Sequence, residues 1–235
     1  MSRRPTVFLF DIDGTLVSTG GAGRKAIERA FVEHTGTADV LNFSFAGMTD
    51  PAIVRLGLTN AQKPTHAEAI AQVLESYLLA LAEEVAQTPS FVIHPAVIET
   101  INQLATWAHC AIGLGTGNIK NGARVKLNRA SLFERFHFGG FGCDSEDRAE
   151  LIATGAQRGA ARLGVSLVEC RVVVIGDTPK DVAAARAIGA QSLAVATGPY
   201  SSADLAACGA TWAVESLAAA GVVEMLLGEW PETGT

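Results

Sequence analysis

The 235-residue sequence predicts an α/β fold: a doubly wound, Rossmann-like parallel sheet carrying an inserted α-helical cap subdomain. Three observations predict it. Short apolar runs alternate with segments of helical period. Two of those runs end in aspartates. After the first run, a stretch of about 75 residues contains no convincing strand, too long for an ordinary βα loop.

Val7–Phe10 is the first run and reads as a buried strand. Cys110–Leu114, Phe136–Phe141, Arg171–Ile175, Gln191–Ala196 and Thr211–Val214 read the same way. Between them Ala96–Trp107, Asn118–Ala130, Asp147–Leu163, Pro179–Ile188 and Glu215–Leu226 read as helices. Right-handed crossovers then bring the βα loops to one sheet edge, where such sheets bind ligands. Within the long insert, Gly20–Thr35 and Asp50–Leu58 look helical. Thr65-His-Ala-Glu68 has the form of a capping box opening a long amphipathic helix. Ile70, Val73, Leu74, Tyr77, Leu81 and Val85 mark one face of that helix. The expected division is a core of residues 1–16 and 92–235 and a helical cap of 17–91, a lid over the active edge.

Composition narrows the function. Apolar residues make up 49% and charged residues 18%, which excludes a disordered chain. A net charge of −6 with no Lys/Arg-rich run argues against nucleic acid or an anionic membrane as partner. No apolar stretch reaches the roughly 18–20 residues of a membrane span. The run after Met1-Ser-Arg-Arg-Pro5 is too short for a secretory leader. Cys110, Cys143, Cys170 and Cys208 show no C-x-x-C spacing, which suits a reducing cytoplasm. Trp230-Pro-Glu-Thr-Gly234 falls one residue short of a sortase signal and reads as a disordered end.

The chemistry concentrates in four places. Asp11-Ile-Asp13-Gly14-Thr15 follows the first strand, and residues two apart in extended chain point the same way. Two such carboxylates repel, so they call for a cation, and Mg²⁺ prefers oxygen ligands. Gly176-Asp177-Thr178-Pro179-Lys180-Asp181 places a second acidic loop at the same edge. Thr178 fits an N-cap with Pro179 at N1, so Asp181 serves capping as well as a site role. Gly115-Thr116-Gly117-Asn118 offers a hydroxyl and freed amides at a helix start, a phosphate site. The cation for a phosphoryl group is either Arg148 or, less well placed, Lys126.

In that order the motifs resemble those of the haloacid dehalogenase superfamily of phosphohydrolases, and its phosphoglycolate-phosphatase-like members most. Leu16-Val-x-Thr19-Gly20-Gly21 and Gly47-x-Thr49-Asp50 add to the likeness. Where the family most often carries Lys before Pro, this chain has Asp147-Arg148, which makes Arg148 the substitute. The resemblance implies Asp11 as nucleophile, Asp13 as acid–base, and Thr116, Gly117, Asn118 and Arg148 on phosphate. It implies Mg²⁺ held by Asp11, Asp13, Asp177 and Asp181, and a small phosphorylated metabolite as substrate. Thr49, Asp50 or Arg24 would meet the leaving group from the cap. A sugar-phosphate mutase of the same superfamily is the alternative; a non-catalytic phosphoacceptor or binding protein is the rival from another class.

Overall fold

The computed structural model describes residues 4–228. Six parallel strands form the main sheet: β1 (Thr6–Phe10), β4 (Cys110–Thr116), β5 (Gly139–Phe141), β6 (Arg171–Gly176), β7 (Gln191–Val195) and β8 (Trp212–Val214). Their order is β5-β4-β1-β6-β7-β8. All five residues of β1 are buried, as a central strand covered on both faces requires. Phe8 and Phe10 enter the core on one face, while Val7 and Leu9 enter that on the other. The chain winds from β1 to β4 and β5 on one side, then crosses to β6, β7 and β8 on the other. β1 is therefore the switch point, and the crevice opens at its carboxyl end.

Around the sheet lie α4 (Val97–Ala105), α5 (Lys120–Asn128), α6 (Arg148–Leu163), α7 (Pro179–Ala187), α8 (Ser202–Ala207) and α9 (Val222–Leu227). The insert holds α1 (Ala22–Thr35), α2 (Asp50–Asn60) and α3 (Ala67–Gln87). These three helices bury a cluster of their own, including Phe31, Val54, Tyr77 and Leu81, and Ile119 from the start of α5 joins it. Where the chain leaves and re-enters the sheet region, β2 (Val17–Ser18) pairs antiparallel with β3 (Val92–Ile93). The two crossings are thus zipped together, a pairing too short to leave a periodic sequence signal.

Several expected boundaries move. β5 begins at Gly139 rather than Phe136; Phe136 packs on Phe10 with ring centroids 6.1 Å apart instead of joining the ladder. A Cβ at Gly140 would collide with the Leu151 carbonyl, so the ladder residues are the glycines against which α6 packs. The helix expected over Glu215–Leu226 is confined to α9, preceded by turns and by Gly221 at φ 81°. The N-cap of α3 is His66, whose Nδ1 accepts from the Ala69 amide, and not Thr65. Thr65 instead gives its carbonyl to Arg55. The Trp230–Gly234 segment lies outside the described residues.

Candidate active site

Asp11 follows β1 directly, and its amide continues the ladder by donating to the Ile175 carbonyl at 2.8 Å. Its side chain is buried, whereas that of Asp13 is 44% exposed. Gly14 turns the chain at φ 79°, and a Cβ there would run into the Asp177 carboxylate. Only glycine serves both the turn and that approach.

Asp177 and Asp181 arrive from β6 and the first turn of α7. Carboxylate oxygens of Asp11, Asp177 and Asp181 all lie within 4.8 Å of one another. The oxygens of Asp181 are already engaged. One accepts from Thr178 Oγ1 at 2.7 Å and the Thr178 amide at 3.1 Å, completing a capping box. The other accepts from Arg148 Nε at 2.8 Å. Asp181 therefore both caps α7 and holds Arg148.

Arg148 stands in the first turn of α6 with its guanidinium buried. Its Nη2 lies 3.0 Å from Asp11 and 2.5 Å from Asp181. Neither contact has hydrogen-bond alignment, so this buried donor has no aligned acceptor. Burial disfavours its charge, but the neighbouring carboxylates, Asp181 first and then Asp11, more than offset this and hold its pKa above the ordinary arginine value.

Three carboxylates against one guanidinium leave two negative charges uncompensated. Burial, partly offset by Arg148, pushes Asp11 up to about 6. Among the described residues Asp177 accepts only a 3.4 Å hydrogen bond from Thr15. Burial, together with Asp11, Asp181 and Asp13, pushes it up to about 8. This charge deficit and all-oxygen donor set fit a divalent cation.

Thr116 ends β4 beside Asp11, fully buried, and its hydroxyl lowers the Asp11 pKa by hydrogen bonding. The Asn118 side chain donates to Thr116 Oγ1 at 2.9 Å and to Asp13 Oδ2 at 2.8 Å. The insert clamps this loop. Gly117 accepts from the Asp50 amide at 2.8 Å, and Asp50 Oδ2 accepts from the Ile119 amide at 2.9 Å. A Cβ on Gly117 would strike the Met48 carbonyl.

Both candidate cations reach the site. Lys126, buried on α5, donates to Asp13 Oδ2 at 2.6 Å. The three cap candidates separate. Asp50 lines the cavity of about 420 Å³ between sheet edge and insert. Arg24 also lines it, but its guanidinium stacks 3.9 Å from the Phe45 centroid and donates to the Phe43 carbonyl at 2.8 Å. Thr49 caps α2 by accepting from the Ala52 amide and lies outside the lining. Tyr77 was legible only as part of an apolar helix face, yet it lines the cavity and hydrogen-bonds Asp50. No feature of its spacing distinguishes it from the core residues around it.

Beneath a helical insert, the open α/β sheet thus carries an acidic cluster and a buried arginine at its switch point. Residues 5–189 match the family model described as haloacid dehalogenase-like hydrolase. The chain belongs to that family, and it is an enzyme of the hydrolase class. Among solved structures it is similar to a predicted phosphoglycolate phosphatase from Haemophilus somnus 129PT. The TM-score is 0.68 at 15% identity, covering 98% of this chain and 100% of that one. A provisionally assigned β-phosphoglucomutase from Bacteroides vulgatus aligns with TM-score 0.66 at 18% identity, covering 97% and 90%. A hydrolase from Pseudomonas syringae aligns with TM-score 0.64 at 19% identity, covering 94% and 96%. At these identities the likeness is one of fold. No curated protein matches the sequence significantly.

Proposed function

We propose that the enzyme is a Mg²⁺-dependent phosphatase of small phosphomonoesters, of the phosphoglycolate kind, working through an aspartyl-phosphate. The observation that carries this reading is buried Asp11 at the sheet's carboxyl edge, with Arg148 Nη2 at 3.0 Å and uncompensated Asp177 beside it. Asp11 attacks phosphorus in line; the carboxylate–phosphorus bond forms as the ester P–O bond breaks. Asp13 gives its proton to the departing alkoxide oxygen. Water then attacks the acyl phosphate, Asp13 takes its proton, and inorganic phosphate leaves with Asp11 restored.

Thr116 Oγ1, the Gly117 and Asn118 backbone, and the unaligned donor of Arg148 hold the phosphoryl oxygens. Asp11, Asp177 and the Asp13 carbonyl would hold Mg²⁺, with Asp181 supporting through Arg148. When bound, the ion neutralises the two surplus charges that would otherwise repel an anionic substrate. The insert of 17–91 acts as a cap over the core of 1–16 and 92–235, limiting the leaving group to what a cavity of about 420 Å³ accepts. No described helix is long and apolar enough to cross a membrane, and all four cysteines are unpaired. Both suit the cytoplasm.

A screen of small phosphorylated metabolites, with and without Mg²⁺, tests this function. Phosphate release that needs the metal supports it. Turnover that needs a bisphosphate activator and frees little phosphate would make the enzyme a mutase, and inertness toward every ester would sink both.

A further inference from the structure

The second cation at the site is Lys126. It is 4% exposed, and its ammonium faces the Asp13 carboxylate instead of solvent. Burying an ammonium is costly unless something fixed receives it. Asp13 Oδ2 does so, and that same oxygen also takes the Asn118 amide at 2.8 Å. No donor reaches Asp13 Oδ1 among the described residues. One oxygen is doubly pinned, and the other is free at the mouth of the cavity.

The far side of Lys126 belongs to the insert. A Cβ on Gly23 of α1 would stand 3.4 Å from Nζ, so α1 packs over the ammonium through a glycine. Asp50, at the start of α2, shares its field with Lys126 and is hydrogen-bonded by Tyr77 of α3. The insert thus packs α1 against one core lysine and brings the Asp50 of α2, backed by Tyr77 of α3, into its field.

We propose that Lys126 is a positioning residue: with Asn118 it fixes Asp13 by Oδ2, leaves Oδ1 as the oxygen that carries the transferred proton, and is itself packed over by the insert at Gly23. The proposal rests on the acid–base role given to Asp13 above. It gives the buried ammonium a role at Asp13. It also ties the acid to the seating of the cap, since withdrawing the insert would take Gly23 off Lys126.

Two phenyl esters separate this role from a structural one, because they differ in their need for a proton and hardly in shape. p-Nitrophenolate leaves unaided, whereas phenolate from phenyl phosphate benefits from general acid. With the full-length enzyme and Mg²⁺, Lys126→Met should lose about tenfold or more in kcat/KM on phenyl phosphate. It should lose no more than about threefold on p-nitrophenyl phosphate. Lys126→Arg, which keeps a cationic donor, should restore most of the wild-type ratio between the esters. Equal losses on both esters, or no loss, would overturn the assignment.

A wild-type enzyme inert on both would instead contradict the proposed function. The pinning is also read without turnover, from a crystal structure of Lys126→Met, or of Lys126→Gln if the Met variant does not fold. The Asp13 carboxyl should leave its wild-type orientation. An unchanged carboxyl in the variant would overturn the proposal whatever the enzyme hydrolyses.

Discussion

Replacing Asp177 by Asn removes the least compensated charge in the site. In the metal-free protein its carboxyl is pushed from 3.8 up to about 8 by burial and by Asp11, Asp181 and Asp13. An acid whose folded pKa lies above its unfolded one costs the fold nothing below the unfolded value. Stability is then lost as pH rises between the two, here from pH 3.8 to about 8. Each pH unit in that window costs about 1.4 kcal/mol, so at pH 7 the ceiling is about 4 kcal/mol. Side-chain relaxation and water entry lower this to about 1–3 kcal/mol. In a domain of this size each kcal/mol moves Tm by about 2–4 °C. Asp177→Asn should therefore melt several degrees above wild type at pH 7 in EDTA, with the gap closing toward pH 4. Mg²⁺ should raise the Tm of wild type and not of the variant, since binding to the folded state alone stabilises it. Thermal melts from pH 4 to 8, with EDTA or Mg²⁺, measure both effects. A variant that melts at or below wild type at pH 7 in EDTA, or that keeps the full Mg²⁺ response, would refute the charge argument.

Other perturbations follow from the same geometry. Arg148→Ala leaves Asp11 and Asp181 buried without their cation. It should cost about 3–5 kcal/mol by denaturant titration and on the order of a hundredfold in phosphate release. Arg148→Lys keeps the charge without the fork and should fall between that variant and wild type in both assays. Gly117→Ala drives a methyl into the Met48 carbonyl, loosening the clamp between the insert and the Thr116–Asn118 loop. A loss of about 1–3 kcal/mol by denaturant titration and a raised KM are expected. Phe8→Ala, in the fully buried middle of β1, should cost about 3–5 kcal/mol in the same titration while KM in the folded fraction stays unchanged.

Much of this was legible in the sequence, for reasons that particular residues make plain. The central strands were readable because β1 and β6 are buried on both faces and so appear as unbroken apolar runs. Asp11, Asp13, Asp177 and Asp181 were readable because each follows such a run at fixed spacing, and three of them converge within 4.8 Å. What escaped depends on packing. Phe136 and Phe138 are apolar because they pack into or against the core clusters; of the segment, the Phe138 carbonyl reaches the ladder, accepting from the Leu114 amide at 3.0 Å. The sequence placed Arg148 better than Lys126 as the cation and left no room for both. The fold brings both in, one to Asp11 and one to Asp13. Tyr77 carries the period of a core residue, and only the approach of α2 gives its hydroxyl a partner in Asp50. Thr49 and Asp50 looked alike as candidates, yet one caps its helix and the other reaches across to α5.

We assign the bond to phosphorus to Asp11. Asp11→Asn keeps the side chain's size and removes only its nucleophilic charge. Assayed on the best substrate from the metabolite screen with Mg²⁺, the variant should release no phosphate above background while melting cooperatively as wild type does. Phosphate release at the wild-type rate by folded Asp11→Asn would contradict the claim directly.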